Sequence, residues 1–481
     1  MKRSQPLSLF LLLLLLAACQ PAPNATVTPV AVTGCGNGVC DSYEDTFLCP
    51  QDCPASPISG ETLLTYIESE GIGRIAVLVA YPTTPRYAEG AGIIVVVSPF
   101  LSDANGFITD PDFTSIGLIQ VSYLWPGQAD PESGAQSEGE FDYGGEQSLQ
   151  VLRDVLLFAA GRFSNIEGRT ITTLIPVTPM TEEVGIYAFS HAGIAAVNVL
   201  YAYGDALKGV EYLIAREMPT VDTLTCLEAG YRSEIGQSIA NPFYLYPSSY
   251  SPTGISLNYS NARWDPAYVD EASGFIGRPY LDLDSNGAVD AADYVFGWRV
   301  PVMFGKRYFS AALTRSLLDN GALTRLGWPD SLATPEEASQ AWETRQTIGH
   351  FFELRDQTPD LKVMLVFAVN DNAQAAADKP HIHQAFQGFR FDAQLDWVRL
   401  NPDRAYVQQL LPGAGTDYPD NPANTQPADW TQISAYAYPG QTQSNTAVTL
   451  AAAAEMADRA YTGRWDENLG QFLYEYTPSE P

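Results

Sequence analysis

Basic residues are scarce in this chain. Lys and Arg number 26 against 56 Asp and Glu, which gives a formal net charge of −30. Nucleic acids and anionic lipid surfaces are bound through clustered Lys and Arg side chains, so this balance argues against both as partners. The acidity is compatible with cation binding and an extracellular environment, but it identifies no substrate.

Long apolar runs are also scarce. The run Leu9–Leu16 follows Lys2 and Arg3 and is too short to span a bilayer as a mature helix. This order of basic, apolar and small residues predicts a secretory signal over residues 1–19. The ending Leu-Ala-Ala-Cys resembles a bacterial lipobox, so Cys19 is expected to carry a lipid anchor. A cleaved signal with a chance cysteine is the alternative.

The resemblance implies an exported lipoprotein on the outer face of a membrane, held by its lipid anchor alone. Residues 20–34 are rich in Pro and Thr and uncharged, which predicts an extended spacer. The next segment, 35–53, resembles a small cysteine-rich module of secreted microbial proteins. Its cysteines are Cys35, Cys40, Cys49 and Cys53. Clustered cysteines in an exported segment predict disulfides of unassigned pairing, with zinc as the competing interpretation.

From Thr62 onward, apolar runs alternate with helical stretches, which predicts an α/β fold with a mostly parallel sheet. The runs are mostly continuous, as in strands covered by helices on both faces. The predicted strands are Arg74–Ala80, Gly92–Ser98, Gly117–Tyr123, Val184–Phe189, Gly209–Ala215, Lys362–Val369 and Trp397–Leu400. Amphipathic or apolar helices are predicted within 144–161 and over Ala447–Tyr461.

One strand candidate ends in a serine followed by small residues. The sequence of 184–194 is VGIYAFSHAGI, with Ala188, Ala192 and Gly193 around Ser190. It resembles the nucleophile elbow of the α/β-hydrolase family, which exposes a serine hydroxyl on a tight strand-to-helix turn. The alternative is an ordinary helix with Ser190 as its N-cap.

The resemblance to α/β-hydrolases covers residues 62–412 and implies an α/β-hydrolase-type sheet. A cap insertion is expected at about 219–345, because the family commonly inserts a cap over the active site there. Residues 413–481 are expected to form a loop and a helix packed on this domain.

A serine nucleophile needs a base and an acid that orients the base. The resemblance implies an acid after the strand that follows the cap, and Asp371 lies there, with Glu217 in reserve. The base is harder to assign, because none of the four histidines follows the last predicted strand. His191 belongs to the elbow and His350 is expected to be structural. His381 or His383 remains, at the start of a helix capped by Asp378, and His381 is favoured because it is nearer the helix start.

An oxyanion hole is expected from backbone N–H groups. The resemblance implies His191 N–H, directly after the nucleophile, and a second donor after the Gly92–Ser98 strand. That donor is Phe100 or Leu101, because Pro99 has no N–H.

A second motif, DLDSNGAVDAAD, spans 282–293 inside the predicted cap. Oxygen ligands fall at the positions of a twelve-residue EF-hand-type calcium loop, and Gly287 takes the sharp bend. The ligands are Asp282, Asp284, Asn286, the Ala288 carbonyl, Asp290 and Asp293. The loop resembles those of dockerins, which carry two. Because one is found here, a structural calcium is predicted and a cohesin partner is not; an acidic turn without metal is the alternative.

Two functions stay open from the sequence. The first is a lipid-anchored serine hydrolase that cleaves a small-molecule ester or a peptide bond through an acyl-enzyme. The second is a catalytically inactive hydrolase fold that serves as a calcium-stabilised surface binding protein. The small residues of the elbow favour the first, and the missing late histidine favours the second.

Overall fold

The computed structural model describes residues 52, 58–101, 106–233, 237–251, 253–270, 273–296, 299–371, 373–374, 376–410, 418–419, 422–424, 427–439 and 445–466. The predicted signal with Cys19, the spacer and the cysteines of the 35–53 module lie outside these residues. No helix within the described ranges is long and apolar enough to cross a membrane.

Eight strands form one central sheet in the order β1-β2-β4-β3-β5-β6-β16-β17. They are β1 (Glu61–Ser69), β2 (Gly73–Tyr81), β3 (Ala91–Val97), β4 (Ile119–Tyr123), β5 (Pro179–Phe189), β6 (Val210–Arg216), β16 (Lys362–Val366) and β17 (Val398–Leu400). Within this sheet, β4, β3, β5, β6, β16 and β17 run parallel to one another, and β2 is antiparallel to both its neighbours, β1 and β4. The prediction of a mostly parallel α/β sheet is confirmed.

Helices cover both faces of the sheet. The α-helices of the described residues are α1 (Glu146–Ala159), α2 (Ile171–Leu174), α3 (Ala192–Tyr203), α4 (Asp222–Thr225), α5 (Ala311–Asp319), α6 (Pro335–Thr344), α7 (Phe351–Gln357), α8 (Pro380–Gln387), α9 (Arg404–Leu410) and α10 (Asn445–Thr462). Every residue of β3 is buried. Ile93 and Val95 pack into the core under α1 and α3, whereas Ile94 and Val96 pack into the core under α10. Burial on both faces explains the continuous apolar run of this strand.

The chain between β6 and β16 forms small antiparallel sheets beside α4, α5 and α6. Their strands are β7 (Gly230–Arg232), β8 (Ser238–Ala240), β9 (Tyr250–Ser251), β10 (Gly254–Ile255), β11 (Ala262–Val269), β12 (Ile276–Leu281), β13 (Tyr294–Val295), β14 (Val302–Met303) and β15 (Lys306–Arg307). Tyr259, Leu281, Tyr294 and Phe296 share a hydrophobic cluster with α5. Part of this segment therefore has a core of its own, whereas Met303, Tyr308 and Trp342 belong to the core under α1 and α3.

Candidate active site

Ser190 lies on a tight turn between β5 and α3. Its φ of +53° is in the left-handed region, which non-glycine residues seldom occupy. The Ser190 N–H donates to Arg216 O at the end of β6 (2.7 Å), and Gly193 N–H donates to Ser190 O (3.0 Å). The neighbouring strand and the first helical turn thus hold the strained residue in place.

Close packing explains the small residues around this turn. Ala188 and Ala192 are buried. A Cβ on Gly193 would lie 2.4 Å from Met218 Cγ, so a side chain there has no room. Larger residues at these positions would push the helix away from the sheet and displace Ser190.

Two carboxylates meet one histidine beside the serine. His381 Nε2 lies 2.8 Å from Glu217 Oε2 and 2.9 Å from Asp371 Oδ2, and all three side chains are buried. These residues and Ser190 line one cavity of about 340 Å³. The structure therefore brings together the predicted nucleophile, the predicted base, the predicted acid and the reserve acid.

The sheet explains why the acids converge. Glu217 follows β6 and Asp371 follows β16, and these strands are adjacent and parallel, so their carboxyl ends meet at one edge. Glu217 Oε1 accepts from Ala368 N–H (2.7 Å). Asp371 Oδ1 accepts from the N–H groups of Ala373 and Gln374. Each acid thus has one oxygen held by backbone and the other on His381.

Helix α8 supplies His381. It begins at Pro380, as predicted, but its N-cap is Lys379 in the left-handed region, with no side-chain cap. The prediction that Asp378 caps this helix is wrong, because Asp378 Oδ2 accepts from the hydroxyl of Tyr244 (2.5 Å). His381 nevertheless lies where it was predicted, because α8 starts beside the carboxyl end of β16.

Charge coupling shifts all three pKa values. Burial, with the charge of Asp371, raises the pKa of Glu217 to about 7. Burial would also raise the pKa of Asp371, but the charge and hydrogen bond of His381 hold it well below its usual range. Burial would lower the pKa of His381, but the two carboxylates raise it to about 9. Asp371 is therefore the ionised partner of the imidazole at neutral pH.

The other ring nitrogen of His381 has no such partner. Nδ1 is buried and makes no hydrogen bond within the described ranges, so none joins it to Ser190 Oγ. In the neutral ring, with Nε2 donating to the acids, Nδ1 carries the lone pair that a general base requires, and the pKa of about 9 means that this form prevails only at alkaline pH. The three ligand-type atoms also lie close enough together to hold a metal ion. Their 2.8 and 2.9 Å separations are those of charge-assisted hydrogen bonds, which favours base orientation.

The remaining candidate histidines have other surroundings. His383 packs against the rings of Tyr246 and Tyr250, and burial lowers its pKa to about 4. His350 stacks on Tyr201, and its Nδ1 lies 2.7 Å from Asn198 Oδ1, away from the cavity. Neither lines the cavity of Ser190.

One predicted oxyanion donor is wrong. Phe100 N–H donates to His191 Nε2 (3.2 Å), so this group is already occupied. Leu101 lines the cavity together with His191 and remains the candidate for the second oxyanion donor. Sequence reasoning missed the acceptor role of the His191 ring, which the motif itself does not signal.

The cavity wall is mainly apolar. Its apolar members are Leu101, Phe189, Pro219, Leu224, Leu227, Val300, Pro301, Val302 and Ala373. Thr225, Arg299 and Gln374 add polar groups. A wall of this kind suits a small organic group fixed by a few polar contacts.

The predicted calcium loop joins β12 to β13. Carboxylate oxygens of Asp282, Asp284 and Asp293 lie within 4.8 Å of one another, as ligands of one hard cation do. Gly287, at the sixth position, has φ +75°, and its N–H donates to Asp282 Oδ2 (3.1 Å). The oxygen donor set and the bend fit a calcium ion.

Comparison with protein-family models and with curated proteins gives no match. Solved structures similar to this chain include prolyl oligopeptidase B from Galerina marginata, at 10% identity over 85% of this chain and 38% of that one, with TM-score 0.38. A thermophilic carboxylesterase from a metagenomic library is 16% identical over 36% and 53%, with TM-score 0.25. An α/β serine hydrolase without a lid, from Xanthomonas campestris, is 18% identical over 35% and 65%, with TM-score 0.22. This chain spans about half the length of the esterases it matches. TM-scores below 0.5 support no conclusion about activity.

Proposed function

We propose that this chain is a serine hydrolase that cleaves an ester or peptide bond through an acyl-enzyme. Ser190 is the nucleophile, His381 the general base and Asp371 the acid that orients it. The observation that carries the proposal is the strained Ser190 turn opening into the same cavity as a buried histidine held by two carboxylates. Strain at one residue beside coupled titratable groups is a signature of a reactive site.

The reaction follows from these groups. The Nδ1 lone pair of His381 takes the hydroxyl proton as Ser190 Oγ bonds to the substrate carbonyl carbon. The N–H groups of His191 and Leu101 stabilise the oxyanion. The imidazolium then gives its proton to the leaving alcohol or amine, and the acyl-enzyme forms. In the second half, Nδ1 takes a proton from a water molecule as the water oxygen bonds to the acyl carbon. The imidazolium returns this proton to Ser190 Oγ as the bond between the acyl carbon and Oγ breaks, which releases the carboxylic acid.

The segment at 219–345 serves as a cap in this proposal. Leu224 and Leu227, together with the stretch 299–302, form much of the cavity wall. Val300 packs against the hydrophobic cluster of this segment, and Val302 N–H donates to Leu101 O (3.2 Å), so the wall is joined both to the segment and to the loop after β3. We expect it to select the group bonded to the substrate carbonyl.

The cellular setting of the proposal rests on sequence alone. Cys19 would carry the lipid, residues 20–34 would separate the enzyme from the membrane, and disulfides would hold the 35–53 module. The enzyme would then act on small esters or peptides outside the cytoplasm.

A catalytically inactive binding protein is the second candidate. Asn401 occupies the position after β17 where the hydrolase resemblance implies the histidine. Its Oδ1 accepts from Phe367 N–H (2.8 Å) and its Nδ2 donates to Phe367 O (3.0 Å), which is a structural role. The missing hydrogen bond between His381 and Ser190 favours the same candidate.

Fluorophosphonate labelling separates the two candidates. We expect the wild-type chain to be labelled and Ser190→Ala to remain unlabelled, since only an activated serine attacks the reagent. Ser260→Ala is the matched control, because Ser260 is exposed and lies outside the cavity. If the folded, calcium-loaded wild type takes no label, the enzyme proposal is refuted and the binding protein remains.

We also propose a structural calcium ion in the 282–293 loop. Added calcium is expected to raise the melting temperature on the order of 5 °C at a hundredfold excess over its Kd, and EDTA to reverse the gain. Asp284→Ala removes a ligand from an exposed position and should abolish the shift. Asp330→Ala, an exposed acid elsewhere, should retain it. Equal shifts in both variants would place the calcium elsewhere.

A further inference from the structure

The residue after the nucleophile contacts the loop opposite it. His191 Nε2 accepts the Phe100 N–H (3.2 Å), and the two rings meet edge to face with centroids 5.3 Å apart. The backbone N–H of His191 is itself a proposed oxyanion donor. His191 therefore links the elbow to the loop after β3, where the second donor lies.

The ring must be neutral to accept this hydrogen bond. Burial lowers the pKa of His191 to about 4, so the imidazole stays neutral at ordinary pH. With Nε2 as the acceptor, the proton is on Nδ1. This tautomer cannot take a proton from Ser190 through Nε2, which agrees with a role other than general base.

The rest of the loop is held from two other directions. Trp125 Nε1 donates to Pro99 O (2.8 Å), and Val302 N–H donates to Leu101 O (3.2 Å). Leu101 is thus fixed on both sides: the N–H of the preceding residue, Phe100, is bonded to His191, and its own carbonyl is bonded to Val302. Without the contact to His191, the side of the loop that faces the elbow would lose its hydrogen bond.

We propose that the His191 imidazole is a positioning residue for the oxyanion hole. By accepting the Phe100 N–H, it sets the distance between the elbow and Leu101, and hence between the two oxyanion donors. This inference rests on the proposed hydrolase function. Oxyanion contacts act mainly in the transition state, so their misplacement lowers kcat and leaves KM nearly unchanged.

The test compares two substitutions of this residue, using a p-nitrophenyl ester as substrate. His191→Ala removes the acceptor, and kcat is expected to fall about 10- to 100-fold while KM stays within about threefold. His191→Gln places an amide oxygen near the position of Nε2 and should recover at least about tenfold of the loss. His350→Gln, which alters a histidine outside the cavity, should leave kcat unchanged.

The outcomes are separable from failure of the proposed function. If wild type is active and His191→Ala retains wild-type kcat, the positioning role is overturned. It is also overturned if His191→Gln, folded by its melting curve, is as slow as His191→Ala, since the acceptor would then not matter. A folded wild-type chain with no activity and no fluorophosphonate labelling would instead refute the hydrolase proposal itself.

Discussion

His381→Ala is expected to lower kcat by about a millionfold, as loss of the base does in subtilisin. His381 Nδ1 is the proposed acceptor of the Ser190 proton. The other histidine that lines the cavity, His191, already accepts the Phe100 N–H through its Nε2. The measurement is kcat on a p-nitrophenyl ester, together with the rate of fluorophosphonate labelling.

Helix α8 offers a matched control for this substitution. His383 lies two residues further on and packs against Tyr246 and Tyr250, so His383→Ala should keep kcat within about tenfold. Alanine at position 381 leaves two buried carboxylates without their partner and can destabilise the fold. His381→Gln supplies N–H donors to those carboxylates and should be folded yet inactive. Activity lost in His383→Ala but kept in folded His381→Gln would assign the base to His383.

The parts of the fold that the sequence predicted are those specified by local burial. The strands buried on both faces are mostly apolar, and each overlaps a predicted strand, although β5 begins at Pro179 rather than at the predicted Val184. Strand β1 was missed because it lies at the edge of the sheet, where exposed polar residues interrupt its apolar positions. Helix α10 was predicted from its apolar and alanine-rich sequence alone.

The candidate site was only partly predictable, because it depends on contacts between distant segments. Ser190 and Pro380 carry local signals, a strand-to-helix turn and a helix start. That Glu217 and Asp371 share one imidazole nitrogen follows from the pairing of β6 with β16, which are far apart in the chain. Likewise, Phe100 was wrongly predicted as an oxyanion donor because its N–H partner is a side chain from another element.

Because Glu217 and Asp371 share His381 Nε2, we expect the effects of replacing the two acids on kcat/KM to be non-additive. In Asp371→Asn, Glu217 still accepts the Nε2–H of His381, and in Glu217→Gln, Asp371 does so. Each single substitution is therefore expected to lower kcat/KM by about tenfold. The double variant should lose about 10⁴-fold, as when a triad loses its only acid, which exceeds the roughly hundredfold loss that two independent effects would give. Equal losses of about 10⁴-fold in Asp371→Asn and in the double variant would show that Asp371 acts alone.

The pH profile reports the same coupling through a different observable. His381 acts as a base only when deprotonated, so kcat/KM should rise with pH through its pKa, which the carboxylates raise to about 9. Glu217→Gln removes one negative charge beside the ring, which makes the imidazolium easier to deprotonate. The rising limb should then move toward neutral pH, because the pKa of His381 falls and Nδ1 loses its proton at a lower pH. Glu68→Gln, at an exposed position on β1, is the control and should leave the limb in place. A limb that does not move in Glu217→Gln would mean that the charge of Glu217 does not act on His381, and the acid pair would reduce to Asp371.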